Sequence, residues 1–294
     1  MQLKLSTLLG SALLLAAIPA AHALPLSTGG DQGLAVADTE LAELQTNAYF
    51  AMAAYEDVSK WSCKNCVGGT AGTKFVSDFS KFLSATRWYV ALHEPTQSII
   101  LSFRGSTPSD AVTFVTDLNI ELTRWPKSVP ESKVHEGFVE SMLKGVDAAI
   151  DTLKQQVASY PDYQIKIVGH SLGGAHAVLA ATHISASVPQ WVSKLRVFTY
   201  GEPRVGNIKF AQYYDSLNIP TRRVVNKNDM VPQIPPKTLG YAHHGSEVWI
   251  RPSDGVAITC PGALPKENQS CSDGISTLKW SIPDHLLYWS AASH

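Results

Sequence analysis

The fold of this chain is decided by residues 164–175, which read QIKIVGHSLGGA. The first five residues form a short apolar-rich run typical of a buried strand, and the small residues from Leu172 onward fit the start of a helix. Between the two lies a G-x-S-x-G motif, from Gly169 to Gly173. At a strand-to-helix junction this motif holds a serine on a strained turn that lifts its hydroxyl clear of the sheet. We therefore predict a strand, a tight turn and a helix here, with Ser171 as a candidate nucleophile.

Strand-like and helix-like segments alternate on both sides of this turn. Branched and aromatic residues indicate strands, and apolar residues at helical spacing indicate helices. The predicted strands cover residues 87–92, 98–103, 164–168, 195–200 and 221–226, and the predicted helices cover 38–55, 136–159, 172–187 and 208–217. Asp38 is expected to cap the first helix. This alternation predicts an α/β protein in which helices flank a mostly parallel central sheet. Together with the turn at Ser171, it favours the α/β-hydrolase fold.

Residues 1–23 read as a secretory signal peptide. Lys4 gives a basic start, residues 8–18 are apolar, and Ala21-His22-Ala23 is a cleavage site of the A-x-A type. The apolar run is about half as long as the ~20 residues that a membrane-spanning helix needs. We therefore expect a secreted, extracellular protein without stable membrane insertion. Residues 24–37 are expected to form a flexible mature N-terminus or a short pro-segment, and residues 38–294 a single catalytic domain.

Charge and cysteine content narrow the classes of partner and cofactor. The formal net charge is −1, which gives no electrostatic footprint for nucleic acid or anionic membranes. An even number of cysteines in an exported protein implies disulfides. Of the three pairings that four cysteines allow, sequence proximity favours Cys63–Cys66 and Cys260–Cys271. A redox or zinc role for the C-x-x-C pair is less favoured, because a glycine-rich stretch follows it and no second metal-binding pair accompanies it.

A serine hydroxyl becomes a good nucleophile only when a histidine accepts its proton and an acid orients that histidine. In this fold the acid and then the histidine follow the serine along the chain. His285 is the favoured base, because it lies at a loop-to-helix junction that can aim it at the serine. The pair His243-His244 remains a rival, just before a strand-like segment at 246–251. His176 and His183 lie on the nucleophile's own helix, so we expect them to point away from the site.

Asp229 is the favoured acid. It follows the predicted strand 221–226, on the edge of the sheet where α/β folds place catalytic groups. Asp284 adjoins His285, but an immediate neighbour rarely reaches its own partner's ring. The remaining acids are expected on a helix surface (Asp215) or in solvated C-terminal loops (Asp254, Glu267 and Asp273).

With these residues named, the chain resembles the filamentous-fungal class 3 lipase family, which is related to the fungal feruloyl esterases. The resemblance covers nearly the whole mature chain. It rests on the C-x-x-C loop and on the motifs FRGS (103–106), VHEGF (134–138), GHSLGGA (169–175), YGEPRVGN (200–207), NDMVP (228–232) and DH (284–285). It implies a catalytic triad of Ser171, Asp229 and His285. It also implies an oxyanion hole formed by the backbone N–H groups of Ser106 and Leu172.

The family carries its lid after Ser106, which corresponds to residues 107–120 here. An apolar stripe at helical spacing runs along this segment, formed by Ala111, Val112, Phe114, Val115 and Leu118. We expect the helix to cover the site in water and to open at a lipid surface; a permanently docked core helix is the alternative. The segment is two residues longer than in the best-known members, and it has Phe114 where tryptophan is common. Phe114 is expected to contact substrate. Four further positions align with the family's acyl pocket but fit the core equally well: Val231, Ile234, Ile282 and Leu286.

The resemblance implies a serine esterase that hydrolyses acylglycerols through an acyl-enzyme at an oil–water interface. No metal or organic cofactor is expected, and we expect a monomer. Feruloyl esterases of the family tend to have a polar lid segment, so the apolar stripe favours lipid esters. A feruloyl esterase, a mono-/diacylglycerol lipase and an inactive binding homologue remain alternatives. Asn268-Gln269-Ser270 is the one N-x-S/T sequon in the chain, and we expect glycosylation at Asn268 if the host supports it.

Overall fold

The computed structural model describes residues 33–80, 87–107, 110, 120–261 and 267–293. The predicted signal peptide lies outside these residues. So do residues 24–32 of the predicted N-terminal segment and residues 108–109 and 111–119 of the predicted lid. Within the described ranges, no helix is both long enough and apolar enough to cross a bilayer.

A mixed sheet of nine strands forms the centre of the described chain. Its spatial order is β1 (Leu34–Ala35), β13 (Ala257–Thr259), β12 (Glu247–Ile250), β10 (Thr221–Asn226), β8 (Leu195–Tyr200), β7 (Gln164–His170), β4 (Ser98–Phe103), β3 (Arg87–His93) and β2 (Thr73–Ser80). The five strands from β12 to β4 run parallel, and the strands outside them are antiparallel. The predicted α/β class with a mostly parallel central sheet is therefore confirmed.

Two smaller sheets lie beside the central one. The first contains β5 (Leu122–Arg124), β6 (Lys133–His135), β9 (Gly206–Asn207) and β11 (Tyr241–Ala242). The second is a hairpin of β14 (Leu287–Tyr288) and β15 (Ala291–Ala292) near the C-terminus.

Six α-helices flank the strands in the described part of the chain. They are α1 (Asp38–Ala53), α2 (Glu136–Leu143), α3 (Val146–Ser159), α4 (Leu172–Ser187), α5 (Ile208–Ser216) and α6 (Pro283–Leu286). Side chains alternate between the two faces of each strand, and both faces of β7 are buried. Ile165 and Ile167 join a core cluster with α2, α3 and α4, whereas Val168 joins a cluster with α1 on the other face. Lys166 is polar but buried as well, and its Nζ pairs with the Glu43 carboxylate of α1 at 2.8 Å.

Two of the predicted helical features are wrong. The predicted helix 136–159 is two helices, because Gly145 adopts a non-helical conformation and caps the second one. Its carbonyl accepts a hydrogen bond of 3.0 Å from the indole of Trp88 on β3. This contact holds the break between the two helices in place. Asp38 does not cap the first helix, since Ala37 occupies the cap position in an extended conformation. Asp38 instead lies in the first turn, where its carboxylate faces the positive end of the helix dipole.

Both favoured disulfides form, joining Cys63 to Cys66 and Cys260 to Cys271. The first closes a loop that holds the C-terminal hairpin. Within it, the buried Asn65 side chain donates to the Ala292 carbonyl at 2.9 Å and accepts from the Ala292 N–H at 3.3 Å. Because this hairpin directly follows α6, the loop also restrains the helix that carries His285.

Candidate active site

Ser171 lies on a sharp turn between β7 and α4. Its backbone has φ 59° and ψ −131°, a conformation that an L-residue adopts only when the surroundings impose it. The two motif glycines explain the close approach of strand and helix. A Cβ at Gly169 would lie 2.0 Å from the Gly173 carbonyl oxygen, and one at Gly173 would lie 2.2 Å from the Phe103 carbonyl oxygen. The turn predicted from the G-x-S-x-G motif is therefore present.

Asp229 and His285 form a buried hydrogen-bonded pair. Asp229 follows β10 and His285 lies in α6, and Nδ1 of the histidine is 2.9 Å from Oδ2 of the aspartate. Both residues have an exposed fraction of 0%. The carboxylate also accepts from the Tyr288 hydroxyl at 2.6 Å and from the Val231 N–H at 2.9 Å. Because the carboxylate can only accept, Nδ1 of neutral His285 carries the proton and Nε2 presents the basic lone pair.

The two atoms that would exchange a proton are both unpaired. Ser171 Oγ and His285 Nε2 are buried, and neither makes a hydrogen bond to another described residue. Buried polar atoms are rarely left unpaired, so each such atom needs a reason. A catalytic role supplies one, because hydrogen bonds between catalytic groups are often incomplete before substrate binds.

Gly201, in the YGEPRVGN motif, leaves the space that the acid–base pair occupies. The Ser171 N–H donates to the carbonyl of Tyr200 at 2.9 Å. Gly201 is the next residue after Tyr200, so it lies close to the turn at Ser171. Gly201 has φ +60°, and a Cβ there would lie 2.6 Å from His285 Nδ1 and 2.7 Å from Asp229 Oδ2. The motif contributed to the family resemblance, but no role was predicted for Gly201 from the sequence.

The two predicted oxyanion-hole residues adjoin Ser171 and Gly105, and Gly105 lies against Ser171. Ser106 follows Gly105, and a Cβ at Gly105 would lie only 2.8 Å from the Ser171 Cβ. Leu172 is the first residue of α4, so its N–H has no intrahelical carbonyl partner. That N–H also lies at the positive end of the helix dipole. The placement is compatible with an oxyanion hole, and the roles of both residues stay a prediction.

The rival histidines are hydrogen-bonded to groups other than Ser171. Nε2 of His243 is 2.7 Å from the Pro232 carbonyl, and Nε2 of His244 is 3.1 Å from a Glu202 carboxylate oxygen. On α4, His176 Nε2 is 2.8 Å from the Ser141 hydroxyl, and His183 Nε2 is 3.3 Å from Asp147. Burial lowers the pKa of His176 to about 3, which keeps this imidazole neutral. Histidines 176 and 183 thus contact helices that flank the sheet and not Ser171, in line with the expectation that they point away from it.

Two of the rival acids are not where the sequence suggested. The expectation that Glu267 and Asp273 are solvated is wrong, because their side chains have exposed fractions of only 8% and 4%. Both surround the buried guanidinium of Arg204, which lies 2.7 Å from Glu267 Oε2 and 3.5 Å from Asp273 Oδ1. Burial alone would raise the pKa of Glu267, but the hydrogen bonds from Arg204 and the His243 N–H, together with the nearby positive charge, outweigh it and hold that pKa well below its ordinary value.

The other rival acids lie as expected. Asp215 and Asp254 are exposed. Asp284 does not hydrogen-bond to the ring of its neighbour His285; its carboxylate accepts from the Asn228 N–H at 3.3 Å.

The predicted acyl-pocket residues lie on the segments that carry the acid and the base. Val231 is fully buried and follows Asp229, while Ile234, Ile282 and Leu286 are half-buried. The Ile282 carbonyl accepts from the His285 N–H at 2.9 Å, so its backbone holds the base in place. Contact of these side chains with substrate stays a prediction. Phe114 lies outside the described residues.

The described residues offer one grouping of potential metal-ligating atoms, formed by Glu247, Cys260 and Cys271. Its two sulfur atoms are joined in a disulfide, so they are not free to act as thiolate ligands. The sequon residue Asn268 is half-buried, and its side-chain oxygen accepts from the Ser270 N–H at 2.8 Å.

Comparison with known proteins gives a consistent set of relatives. A sequence model described as lipase (class 3) matches residues 100–239. A lipase of Rhizopus niveus is 34% identical over 270 residues, covering 90% of this chain and 67% of that protein. The secreted mono- and diacylglycerol lipase A of Penicillium cyclopium is 31% identical over 249 residues, covering 81% of this chain and 78% of that protein. The solved structure of a triacylglycerol lipase whose catalytic centre is a serine protease triad superposes with a TM-score of 0.81 at 33% identity, covering 88% of this chain and 98% of that one.

Proposed function

The chain belongs to the class 3 lipase family, and on that premise we propose that it is a secreted lipase that hydrolyses acylglycerol esters with Ser171, Asp229 and His285. One observation carries the proposal: Asp229 holds His285 with Nε2 unpaired, and the His285 ring stacks at 4.5 Å on the residue before Ser171, whose own hydroxyl is unpaired on a strained strand-to-helix turn. This is the arrangement that lets an imidazole remove a proton from a serine hydroxyl.

The first half of the reaction forms an acyl-enzyme. Ser171 Oγ attacks the ester carbonyl carbon while His285 Nε2 takes the hydroxyl proton, and Asp229 stabilises the resulting imidazolium. The carbonyl oxygen becomes negatively charged, and the backbone N–H groups of Ser106 and Leu172 are the proposed donors to it. A donor of this kind contributes ~2.7–4 kcal/mol to the stability of the transition state. The tetrahedral intermediate collapses as His285 gives its proton to the leaving alcohol.

The second half of the reaction releases the fatty acid. His285, neutral again, takes a proton from water as the water oxygen attacks the acyl carbonyl. Collapse of the second intermediate breaks the bond to Ser171 Oγ, which recovers its proton from the imidazolium. The cycle needs no group beyond the triad, the two donors and water.

Acylglycerols are the proposed substrates for two reasons. One relative is a triacylglycerol lipase and another is a secreted mono- and diacylglycerol lipase. In addition, the segment after Ser106 carries the apolar stripe that a lipid-facing lid would need. A preference for partial glycerides is the second candidate, favoured by the Penicillium relative.

Parallel assays on triolein, monoolein and methyl ferulate test the substrate class. We expect turnover of triolein, rising sharply once the substrate exceeds its solubility limit, and little turnover of methyl ferulate. Turnover of monoolein without triolein would replace the proposal by a mono-/diacylglycerol lipase. Turnover of methyl ferulate alone would contradict a lipase altogether. Ser171→Ala is the matched blank for every substrate.

Export to the extracellular space is proposed from the signal-like residues 1–23, from the two disulfides and from the secreted relative. The working partner is then a lipid-ester surface, and the enzyme acts as a monomer. N-terminal sequencing of the protein recovered from a culture medium is expected to begin at Leu24. A protein retained in the cells with Met1 at its N-terminus would contradict export.

A further inference from the structure

A buried imidazole next to the nucleophile has no part in the reaction cycle above. His170 has an exposed fraction of 1%, and its ring stacks on that of His285 with centroids 4.5 Å apart and an interplanar angle of 29°. Nε2 of His170 lies 2.8 Å from the backbone carbonyl oxygen of His285. Because a carbonyl only accepts, Nε2 carries a proton, and Nδ1 of the neutral ring is left with a lone pair.

The Tyr55 hydroxyl donates a hydrogen bond to that lone pair and also contacts the loop at Gly105. Its hydroxyl oxygen lies 2.7 Å from Nδ1 of His170, so the phenol donates to the imidazole. The same oxygen lies close against Gly105, where a Cβ would come within 2.5 Å of it. Hydrogen bonds therefore run in one direction from the Tyr55 hydroxyl through His170 to the carbonyl of His285, and the Tyr55 hydroxyl lies against Gly105.

These contacts join three parts of the active site that are far apart in sequence. Gly105 precedes the proposed oxyanion donor Ser106, His170 precedes the nucleophile, and His285 is the base. Burial lowers the pKa of His170 well below its ordinary value, and the neighbouring His285 lowers it further. A neutral His170 suits the reaction, because a second positive charge on the stacked ring would oppose the imidazolium that forms on His285.

We propose that Tyr55 and His170 are positioning residues that align the oxyanion loop, the nucleophile's turn and the base for acyl transfer. The proposal rests on the proposed function, since it takes Ser171 as the nucleophile and His285 as the base. None of these contacts involves the predicted acyl-pocket side chains. Loss of the contacts is therefore expected to lower kcat and to leave KM nearly unchanged.

Three variants test the two ends of the His170 ring. Tyr55→Phe keeps the aromatic ring and removes the hydroxyl. His170→Gln can place an N–H where Nε2 was, and so keeps the bond to the His285 carbonyl. His170→Asn can place an acceptor where Nδ1 was, and so keeps the bond to Tyr55 but loses the bond to the His285 carbonyl. Assayed on a soluble p-nitrophenyl ester, His170→Asn is expected to lose on the order of 100-fold in kcat, an effect that misplacing a catalytic group by about 1 Å can have. Tyr55→Phe and His170→Gln both keep the bond to the His285 carbonyl and both lose the bond between Tyr55 and residue 170, so each is expected to lose less, on the order of tenfold, which corresponds to one net hydrogen bond.

Two buried residues of the same types give matched controls. Tyr89 donates to the Phe50 carbonyl at 2.7 Å, and His176 Nε2 lies 2.8 Å from the Ser141 hydroxyl. Tyr89→Phe and His176→Gln are expected to lower thermal stability with wild-type kcat. A kcat loss in these controls equal to that in the test variants would assign the effect to general destabilisation and overturn the proposal.

Ser171→Ala separates this proposal from the proposed function. Full activity in Ser171→Ala would overturn the proposed function. An inactive Ser171→Ala beside folded Tyr55 and His170 variants with wild-type kcat would overturn the positioning role alone. If Tyr55→Phe does not fold, the two His170 variants still decide, and equal kcat values for them would contradict the proposed link to the base.

Discussion

Replacing Gly201 by alanine places a methyl group in the contact between the acid and the base. That carbon would lie 2.6 Å from His285 Nδ1 and 2.7 Å from Asp229 Oδ2, whereas ordinary contacts begin at about 3.4 Å. The ring and the carboxylate must therefore retreat by most of an ångström. Misplacing a catalytic group by about 1 Å costs on the order of 100-fold in rate, and losing the orienting acid costs up to ~10⁴-fold. We expect Gly201→Ala to lower kcat by a factor between these two values.

Gly68 provides the matched control for backbone strain. It has the same φ of +60°, but a Cβ there would meet nothing within 4 Å. Both alanine variants carry the left-handed penalty of ~1–2 kcal/mol, and only one of them disturbs the acid–base pair. The assay is kcat on a soluble short-chain ester, with Tm measured for each variant. A kcat for Gly201→Ala within tenfold of wild type, at a Tm equal to that of Gly68→Ala, would refute the reasoning.

Three further predictions concern the surroundings of the site. Tyr288→Phe removes one donor to the Asp229 carboxylate. Because a hydrogen bond to a charged group contributes ~1.5–3 kcal/mol, urea unfolding should show a loss of that size together with a lower kcat; an unchanged kcat would mean that this donor does not orient the acid. Asn65→Ala leaves buried groups of the C-terminal hairpin unpaired, at ~1–3 kcal/mol each. The hairpin should then be cleaved faster by carboxypeptidase, and wild-type cleavage rates would contradict the proposed restraint. The last prediction concerns Glu267, whose pKa is held below its ordinary value by Arg204 despite burial. A carboxyl of this kind stabilises the fold above its unfolded pKa of about 4.3, and the stabilisation is lost as the pH falls below that value. Unfolding free energies of the wild type should therefore fall more steeply from pH 5 to pH 3 than those of Glu267→Gln; parallel curves would argue against the ion pair as the cause.

The elements around the nucleophile could be predicted because local sequence determines them. The strands Ser98–Phe103, Leu195–Tyr200 and Thr221–Asn226 have their predicted bounds, since each of them concentrates branched or aromatic residues, which favour strands. Ser171 could be singled out because its motif requires a strand before it and a helix after it. Positions after a strand or in a loop then favoured Asp229 and His285, and the family resemblance agreed.

Features that depend on contacts between distant segments could not be predicted in this way. The break at Gly145 depends on the Trp88 indole, 57 residues away. Glu267 appeared solvated because its partner Arg204 lies 63 residues earlier in the chain. The roles of Tyr55 and His170 need a contact across 115 residues, although the position of His170 inside the motif was a signal that it lies close to the nucleophile.

Labelling with a fluorophosphonate tests the central claim most directly, because this reagent reacts with an activated serine and not with an ordinary hydroxyl. Mass spectrometry of the digested protein is expected to find a single phosphonate adduct, on Ser171. Ser171→Ala should take up no label, while the folded Gly68→Ala control should be labelled at the wild-type rate. Label on another serine, or label retained in Ser171→Ala, would contradict the assignment of the nucleophile.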